Sequence, residues 1–229
     1  MTAFFVTGTD TDVGKTLVAT ALLQLARQCG WTTLGLKPVA AGCTQRDGLW
    51  VNDDALALQK ESDPMPEYSV VNPVALESAT APHIAARAAG RQLIVSELVA
   101  HCDRALQSGP VGFTVVEGAG GWLVPLNDTE TMADLAAGLQ LPVVLVVGMQ
   151  LGCLNHALLT SAAIAAAGLQ LAGWVANFKS PMRDAKANVD SLRARLAAPC
   201  LGCIPALSGT PDAAEAARHL QLDLLPGIV

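Results

Sequence analysis

The side chains best placed to do chemistry open the chain. The apolar run Phe4-Phe5-Val6-Thr7 leads into Gly8-Thr9-Asp10-Thr11-Asp12-Val13-Gly14-Lys15-Thr16, and Leu17-Val18-Ala19-Thr20-Ala21-Leu22-Leu23 follows with helical character. A strand, a glycine-rich loop and a helix start in that order form a phosphate cradle. Glycine lets the backbone turn tightly so that consecutive N–H groups point inward, and the helix start adds partial positive charge. Lys15 can then reach the β- and γ-phosphates of ATP, and Thr16 offers a hydroxyl to the Mg²⁺ that bridges them. The spacing departs from the usual motif: Gly8 and Gly14 enclose five residues instead of four, and Thr9 stands in the place of the first glycine. A chance Gly-Lys-Thr in an ordinary loop is the competing reading, and the flanking strand and helix count against it.

A magnesium–phosphate site needs carboxylates from elsewhere in the chain. Glu117 closes the apolar run Phe113-Thr114-Val115-Val116 and is followed by Gly118-Ala119-Gly120-Gly121, which puts a carboxylate at a strand tip beside a loop of little bulk. A charge ending a buried strand has to find a partner. Asp54 stands in Asn52-Asp53-Asp54-Ala55-Leu56, where negative charge suits a first helical turn. Asp53 and Asp54 can equally be read as simple capping residues. Lys37 precedes Pro38-Val39-Ala40 near the end of a second strand, where it can lie on the surface or point over the sheet edge toward a γ-phosphate.

The elements that must position these groups alternate along the sequence. Strands are expected at 3–7, 33–39, 113–117, 143–147, 171–176 and 200–204, and helices at 15–28, 53–60, 94–107, 131–139, 154–167, 183–197 and 212–219. Strands apolar on both faces and separated by helices predict an α/β fold, a mainly parallel sheet with helices on both faces of the P-loop nucleoside triphosphatase type. Functional loops then gather at the carboxyl ends of the strands. Residues 40–81, broken by Gly42, Gly48, Pro64, Pro66 and Pro73, read mostly as loops over the active-site edge. A length of 229 residues with 52% hydrophobic content suits one domain spanning 1–229.

Composition narrows the partners. Fourteen basic against 20 acidic residues give a net charge of −6, which offers nucleic acid or anionic lipid no general attraction. No Asp, Glu, Lys or Arg lies between Asp134 and Lys179. Pro142, Gly148, Gly152, Gly168 and Gly173 nevertheless divide that stretch, as a buried β-α-β unit requires and a membrane span does not. Six scattered cysteines and a start without a secretion signal point to a reducing cytoplasm. Cys200-Leu201-Gly202-Cys203 has C-x-x-C spacing but no second pair or histidine at zinc-ligand spacing, so it reads as buried thiols. Trp31, Trp50, Trp122 and Trp174 read as packing residues, and His83 and His156 as capping or core histidines.

With these residues in view, the chain resembles the dethiobiotin synthetase family over nearly its whole length. The resemblance rests on Val6 to Thr16, Lys37-Pro38-Val39-Ala40, Asn52-Asp53-Asp54-Ala55-Leu56, Val71-Asn72-Pro73, Ala81-Pro82-His83, Val116-Glu117-Gly118-Ala119-Gly120-Gly121-Trp122, Val146-Val147-Gly148, Leu151-Gly152-Cys153-Leu154-Asn155-His156-Ala157 and Gly173-Trp174-Val175-Ala176-Asn177. It implies a cytoplasmic homodimer that joins 7,8-diaminopelargonate, CO₂ and ATP into the ureido ring of dethiobiotin through a carbamate and a phosphorylated carbamate, releasing ADP and phosphate. Matching positions make Lys15, Lys37 and Thr11 catalytic. They put Gly8, Thr9, Asp10, Asp12, Val13, Gly14, Lys15 and Thr16 around the nucleotide and Asn177 on its adenine. Thr16, Asp54 and Glu117 would hold Mg²⁺. The substrate would lie against Lys37 and Gly118, with its carboxylate at the helix start formed by Leu151, Gly152, Cys153, Leu154 and Asn155 of the second subunit, so that the active site borders the subunit interface. Two positions depart from the family: Ala41 stands where serine is frequent, and Ile204-Pro205-Ala206-Leu207-Ser208-Gly209 lacks an acidic residue that some members place near the nucleotide.

Two other readings compete, an ATP-dependent synthase of the same P-loop branch and, in a different class, a nucleotide-driven switch. Synthases that activate cobyrinate carboxylates usually carry a glutamine-hydrolysing domain, for which this chain has no room. Nucleotide-driven switches of the partitioning or cell-division type often have an extra lysine early in the loop, where Thr9-Asp10 stands here. Such switches also need a basic or amphipathic surface element, which the charge balance and residues 222–229 do not supply.

Overall fold

The apolar runs pair side by side as their β-branched, two-faced character requires. In the computed structural model, which describes residues 2–108, 111–207 and 212–228, the chain runs β1 (Thr2–Gly8), α1 (Lys15–Gln28), β2 (Thr33–Leu36), β3 (Val39–Ala41), β4 (Thr44–Arg46), β5 (Leu49–Val51), α2 (Asp53–Lys60), α3 (Tyr68–Val71), β6 (Val74–Leu76) and α4 (Pro82–Ala88). It continues with α5 (Val95–Gln107), β7 (Phe113–Glu117), α6 (Met132–Leu139), β8 (Val143–Gly148), α7 (Cys153–Ala166), β9 (Leu171–Asn177), α8 (Ala185–Arg193), β10 (Cys200–Ile204) and α9 (Ala213–Ala217).

Six strands form the central sheet in the order β10-β9-β8-β1-β7-β2, every pair parallel. From β1 the chain crosses to the β2 edge, returns through β7, and then builds outward on the other side through β8, β9 and β10. That reversal of direction opens a crevice beside the carboxyl end of β1. Residues alternate between the two faces as a strand demands. Phe4 and Val6 of β1 pack with α1 and α9 on one side, while Phe5 packs on the other with Trp122 and with Met132 of α6. Along β8, Val144 and Val146 share the first face, and Leu145 and Val147 join Trp174, Val189 and Leu192 under α7 and α8.

The run at 33–39 is not one strand. β2 stops at Leu36, and Val39–Ala41 pairs with β6 in a separate two-stranded sheet, because Pro38 has no N–H and biases Lys37 away from continuing the ladder. Residues 40–81 are not mostly loop, since besides the expected helix at 53–60 they carry β3 with β6, the antiparallel hairpin β4–β5, and α3. The helices expected at 183–197 and 212–219 are shorter at both ends. The β-α-β reading of the uncharged stretch matches β8, α7 and β9, and among the described residues no helix is long and apolar enough to cross a membrane. All six cysteines are free. Cys200 and Cys203 are half-buried rather than buried, because β10 is an edge strand with an irregularity between Cys200 and Gly202. Trp50 is 38% exposed on its hairpin and so is not a packing residue. Of the segment 204–209, which lacks the acidic residue of some family members, positions 208 and 209 fall outside the described residues.

Candidate active site

From Thr9 the chain loops over the carboxyl end of the sheet and re-enters regular structure at Lys15, the first residue of α1. Gly14 caps this helix at φ +90°, and a Cβ there would collide with Asn177 Nδ2. A Cβ on Gly8 would lie 2.5 Å from Val13 Cγ2, so the loop closes over its own start only with glycine at that point. Thr9 earns its place in a position that usually belongs to glycine by bonding to β8: its N–H donates to Val146 O at 3.0 Å and its Oγ1 accepts from Gly148 N–H at 3.2 Å. Asn177, ending β9, donates through Nδ2 to Val13 O at 2.8 Å and braces the loop from the far side. Lys15 Nζ donates to Asp10 O at 3.0 Å.

The charged groups meet at the tips of β2 and β7. Lys37 leaves β2 one residue before Pro38 and turns inward, leaving only 4% of its surface exposed. Its Nζ lies 2.6 Å from Glu117 Oε1, 3.1 Å from Asp54 Oδ2 and 3.3 Å from Gly118 O. Glu117 is wholly buried, and Thr16 Oγ1 donates to its Oε1 at 2.9 Å. The backbone of Lys37 is clamped as well, since its N–H donates to Val71 O at 2.8 Å and its carbonyl accepts from Asn72 Nδ2 at 2.6 Å.

The local electrostatics follow from burial and from these contacts. Burial works against the Lys37 ammonium, but Glu117 and Asp54 outweigh it and hold the group above the ordinary lysine value. Burial lowers Lys15, and attraction to Glu117 offsets only part of that. Burial pushes Glu117 above the usual carboxylate range, with the Lys37 charge opposing. Asp54 is penalised by burial too, yet the charge and hydrogen bond of Lys37 carry it below its ordinary value. The cluster therefore holds two cations and two carboxylates around one surface, ready for the larger negative charge of a triphosphate.

These groups line a cavity of about 790 Å³. Of the residues expected to act, Thr11, Asp12, Gly14, Lys15, Thr16, Lys37, Asp54, Glu117 and Asn177 all face it. Gly8 and Val13 are buried beneath the loop, and Thr9 and Asp10 border a second, smaller cleft on the loop's other side together with Thr11. Gly118 lies behind Lys37, its carbonyl already engaged, so its expected substrate contact is not made through that oxygen. Leu151, Gly152, Leu154 and Asn155 stand at the start of α7 and do not line the cavity of their own chain; Cys153 is buried in the core. The capping alternative for the two aspartates resolves differently for each. Asn52 is the cap, its Oδ1 accepting from the N–H groups of Asp54 and Ala55 at 3.0 and 3.3 Å. Asp53 pairs with Arg46 on the surface, and Asp54 is left free to face Lys37. Asparagine before a helix is a readable capping signal; the part played by Asn72 is not readable, because its partner is 35 positions away.

Whether these residues suit a magnesium ion can be tested on the donors themselves. Among the described residues no three His, Cys, Asp or Glu side chains converge as a metal centre. Mg²⁺ bound with phosphates asks for only one or two carboxylates, however, and keeps its remaining ligands from phosphate and water. Glu117 Oε2 is buried with no hydrogen-bond partner among the described residues, an arrangement that costs free energy until a cation or donor reaches it. Thr16, Asp54 and Glu117 fit such an ion.

The family described as an AAA domain (AAA_26) matches residues 2–213. The chain is 57% identical over 98% of its length to a Cellvibrio japonicus protein called ATP-dependent dethiobiotin synthetase BioD, of which it covers 96%. It is 54% identical over 97% of its length to the protein of the same name from Chromohalobacter salexigens, of which it covers 98%. Among solved structures, the Aquifex aeolicus MinC:MinD cell division complex contains a chain that superposes with a TM-score of 0.57 at 13% identity, covering 95% of this chain and 86% of that one. The cell division protein FtsY of Thermotoga maritima gives 0.51 at 15% identity, covering 97% of this chain and 66% of that one. At those identities the structural likeness speaks to the fold alone.

Proposed function

The chain belongs to the ATP-dependent dethiobiotin synthetase family, and from that premise we propose that the cavity between the phosphate loop, Lys37 and Glu117 is where it closes the ureido ring of dethiobiotin. The protein is a ligase that uses ATP to join 7,8-diaminopelargonate and CO₂. In this reading one amine of the substrate captures CO₂ as a carbamate and gives up a proton. A carbamate oxygen then attacks the γ-phosphorus and ADP leaves. The second amine attacks the carbamate carbon, and phosphate departs as the ring closes.

The difficulty in that sequence is electrostatic, because a carbamate must approach a triphosphate. Lys15 and Lys37 are suited to holding the two anions together, and Lys37 in particular is buried, charged and fixed through both its backbone and its ammonium. Preorganised charge of this kind is stronger than the same charge in water and needs no rearrangement as the reaction proceeds. Mg²⁺, held by Thr16, Asp54 and Glu117, would supply charge neutralisation at the β- and γ-phosphates. Thr11 lies at the mouth of the cavity, where it can contact the γ-phosphate or the substrate. Asn177 gives one of its two amide hydrogens to Val13, and its Oδ1 can accept from the adenine amino group.

We further propose one domain and a cytoplasmic homodimer. The single six-stranded sheet supports the first, and the six free thiols support the location. Leu151 at the start of α7 and Leu159 on it are 98% and 62% exposed, which suits contact with a second copy and would bring the helix start at Cys153 to a neighbouring cavity. The observation that carries the functional reading is the convergence of Thr16, Lys37, Asp54 and Glu117 on one wall of the cavity. Incubation with ATP, Mg²⁺, bicarbonate and 7,8-diaminopelargonate should yield dethiobiotin by mass spectrometry, with phosphate release that depends on the diamine. Phosphate release indifferent to the diamine would instead favour a nucleotide-driven switch.

A further inference from the structure

Tyr68 is the one tyrosine of the chain and opens α3, far in sequence from the phosphate loop. Its ring is half-buried against the core on the α1 face, and its hydroxyl is used twice. It accepts from the Asn52 backbone N–H at 2.9 Å and donates to Asn72 Oδ1 at 3.0 Å. Each partner holds one member of the charged cluster. Asn52 caps α2 by accepting from the Asp54 N–H, so the Asp54 carboxylate moves with it. Asn72 grips the Lys37 carbonyl through its amide nitrogen. The phenol hydroxyl is therefore a strut between the segment carrying Asn52 and Asp54 and the Asn72 that holds Lys37, beside the 3.1 Å Lys37–Asp54 contact and the 3.3 Å bond from Asn52 Nδ2 to the Ala41 carbonyl.

We propose that Tyr68 is a positioning residue for phosphoryl transfer, its hydroxyl setting the separation of Asp54 from Lys37. The inference rests on the reading of the site given above. Its physical need is plain. The ion pair between Asp54 and Lys37 would loosen if the carboxylate were to hold Mg²⁺, whereas the strut acts through backbone and amide groups outside the metal's donor set. The far end of α2 is tied to β2 independently, by the Gly35 N–H to Ser62 Oγ at 2.9 Å and by Thr33 Oγ1 to the Glu61 carbonyl at 2.8 Å, so losing the phenol hydroxyl loosens only the helix start that carries Asp54, and a misplacement of about 1 Å there can cost on the order of 10²-fold in rate.

Tyr68→Phe keeps the ring and removes only the hydroxyl. The test compares wild type, Tyr68→Phe, Asp54→Asn and the double variant, well below their melting midpoints, by kcat with ATP, bicarbonate and the diamine and by calorimetric titration of ATP at fixed Mg²⁺. Tyr68→Phe should lower kcat roughly 10-fold, a partial form of the loss expected for misplacement. It should also weaken Mg²⁺-dependent ATP binding severalfold, and both penalties should shrink toward none in the Asp54→Asn background, as groups acting as one unit do. A Tyr68→Phe enzyme with unchanged kcat and ATP affinity, or one that loses the same factor in the Asp54→Asn background, overturns the proposal. If wild type makes no dethiobiotin, the functional reading fails, and the calorimetric cycle still decides whether Tyr68 acts through Asp54.

Discussion

Two ion pairs in this molecule have the same length and almost nothing else in common. Lys37 meets Glu117 at 2.6 Å at the tips of β2 and β7, where the side chains are 5% and 0% exposed. Lys186 meets Asp190 at the same 2.6 Å one turn apart on α8, with exposures of 90% and 45%. In the second pair, water and salt screen the attraction, and two long side chains must be ordered to make it. In the first, neither charge has water to return to, so each depends on the other and on Thr16, Asp54 and the Gly118 carbonyl. An ion pair's separation says little about its worth; what surrounds it decides whether it decorates a helix or organises a site.

The largest effect expected from that contrast is on stability. Glu117→Ala strips a fully buried ammonium of its nearest partner and should cost about 3–5 kcal/mol, whereas Lys186→Ala should leave the urea midpoint where it was; equal effects from the two would erase the distinction. Next comes Lys37→Ala, which should lower kcat by about 10²-fold, the usual loss when one preorganised charge stabiliser is removed. Burial already pushes Glu117 up, so without Lys37 the carboxyl can take a proton and the variant should keep its circular dichroism spectrum. A Lys37→Ala enzyme with normal kcat would remove Lys37 from the mechanism.

The smallest effect is in the acid limb of the stability curve. Because Lys37 holds Asp54 below its ordinary value, the folded state binds a proton there less readily than the unfolded chain. The stability this contributes is present above the usual aspartate range and is lost as pH falls through the lowered value. Asp54→Asn should therefore flatten the unfolding profile in that acid range. Asp54 is 47% exposed, so the change is modest. Asp190, lowered first by its hydrogen bond from Lys186, should lose its contribution in high salt. That of Asp54 should persist, because its partner ammonium is buried.

Much of the architecture was legible because it is local. The helix ends at Lys15–Gln28 and Asp53–Lys60 and the strands Phe113–Glu117 and Cys200–Ile204 fall where periodicity and punctuation put them. The small sheets of residues 39–76 were not legible. Their strands are three residues long, and β3 pairs with β6 more than thirty residues onward, where no alternation can announce it. The site divides the same way. The phosphate loop and Glu117 announce themselves by a glycine pattern and by a charge ending an apolar run. Pro38 could have warned that Lys37 leaves the sheet. The Tyr68–Asn72–Lys37 link could not have been read, since it exists only once α3 is folded against β2.

The absence of a side chain at Gly14 reaches further than the helix it caps. Asn177 fills the space a methyl group would need, and the same amide ties Val13 to the end of β9, with all of β8 lying between. One added carbon at position 14 would act as a wedge, prising the arch over the phosphates away from a strand it never touches in the ladder. The curvature of that arch thus leans on a side chain from two strands away, while the register of β9 itself is held by its ladders to β8 and β10.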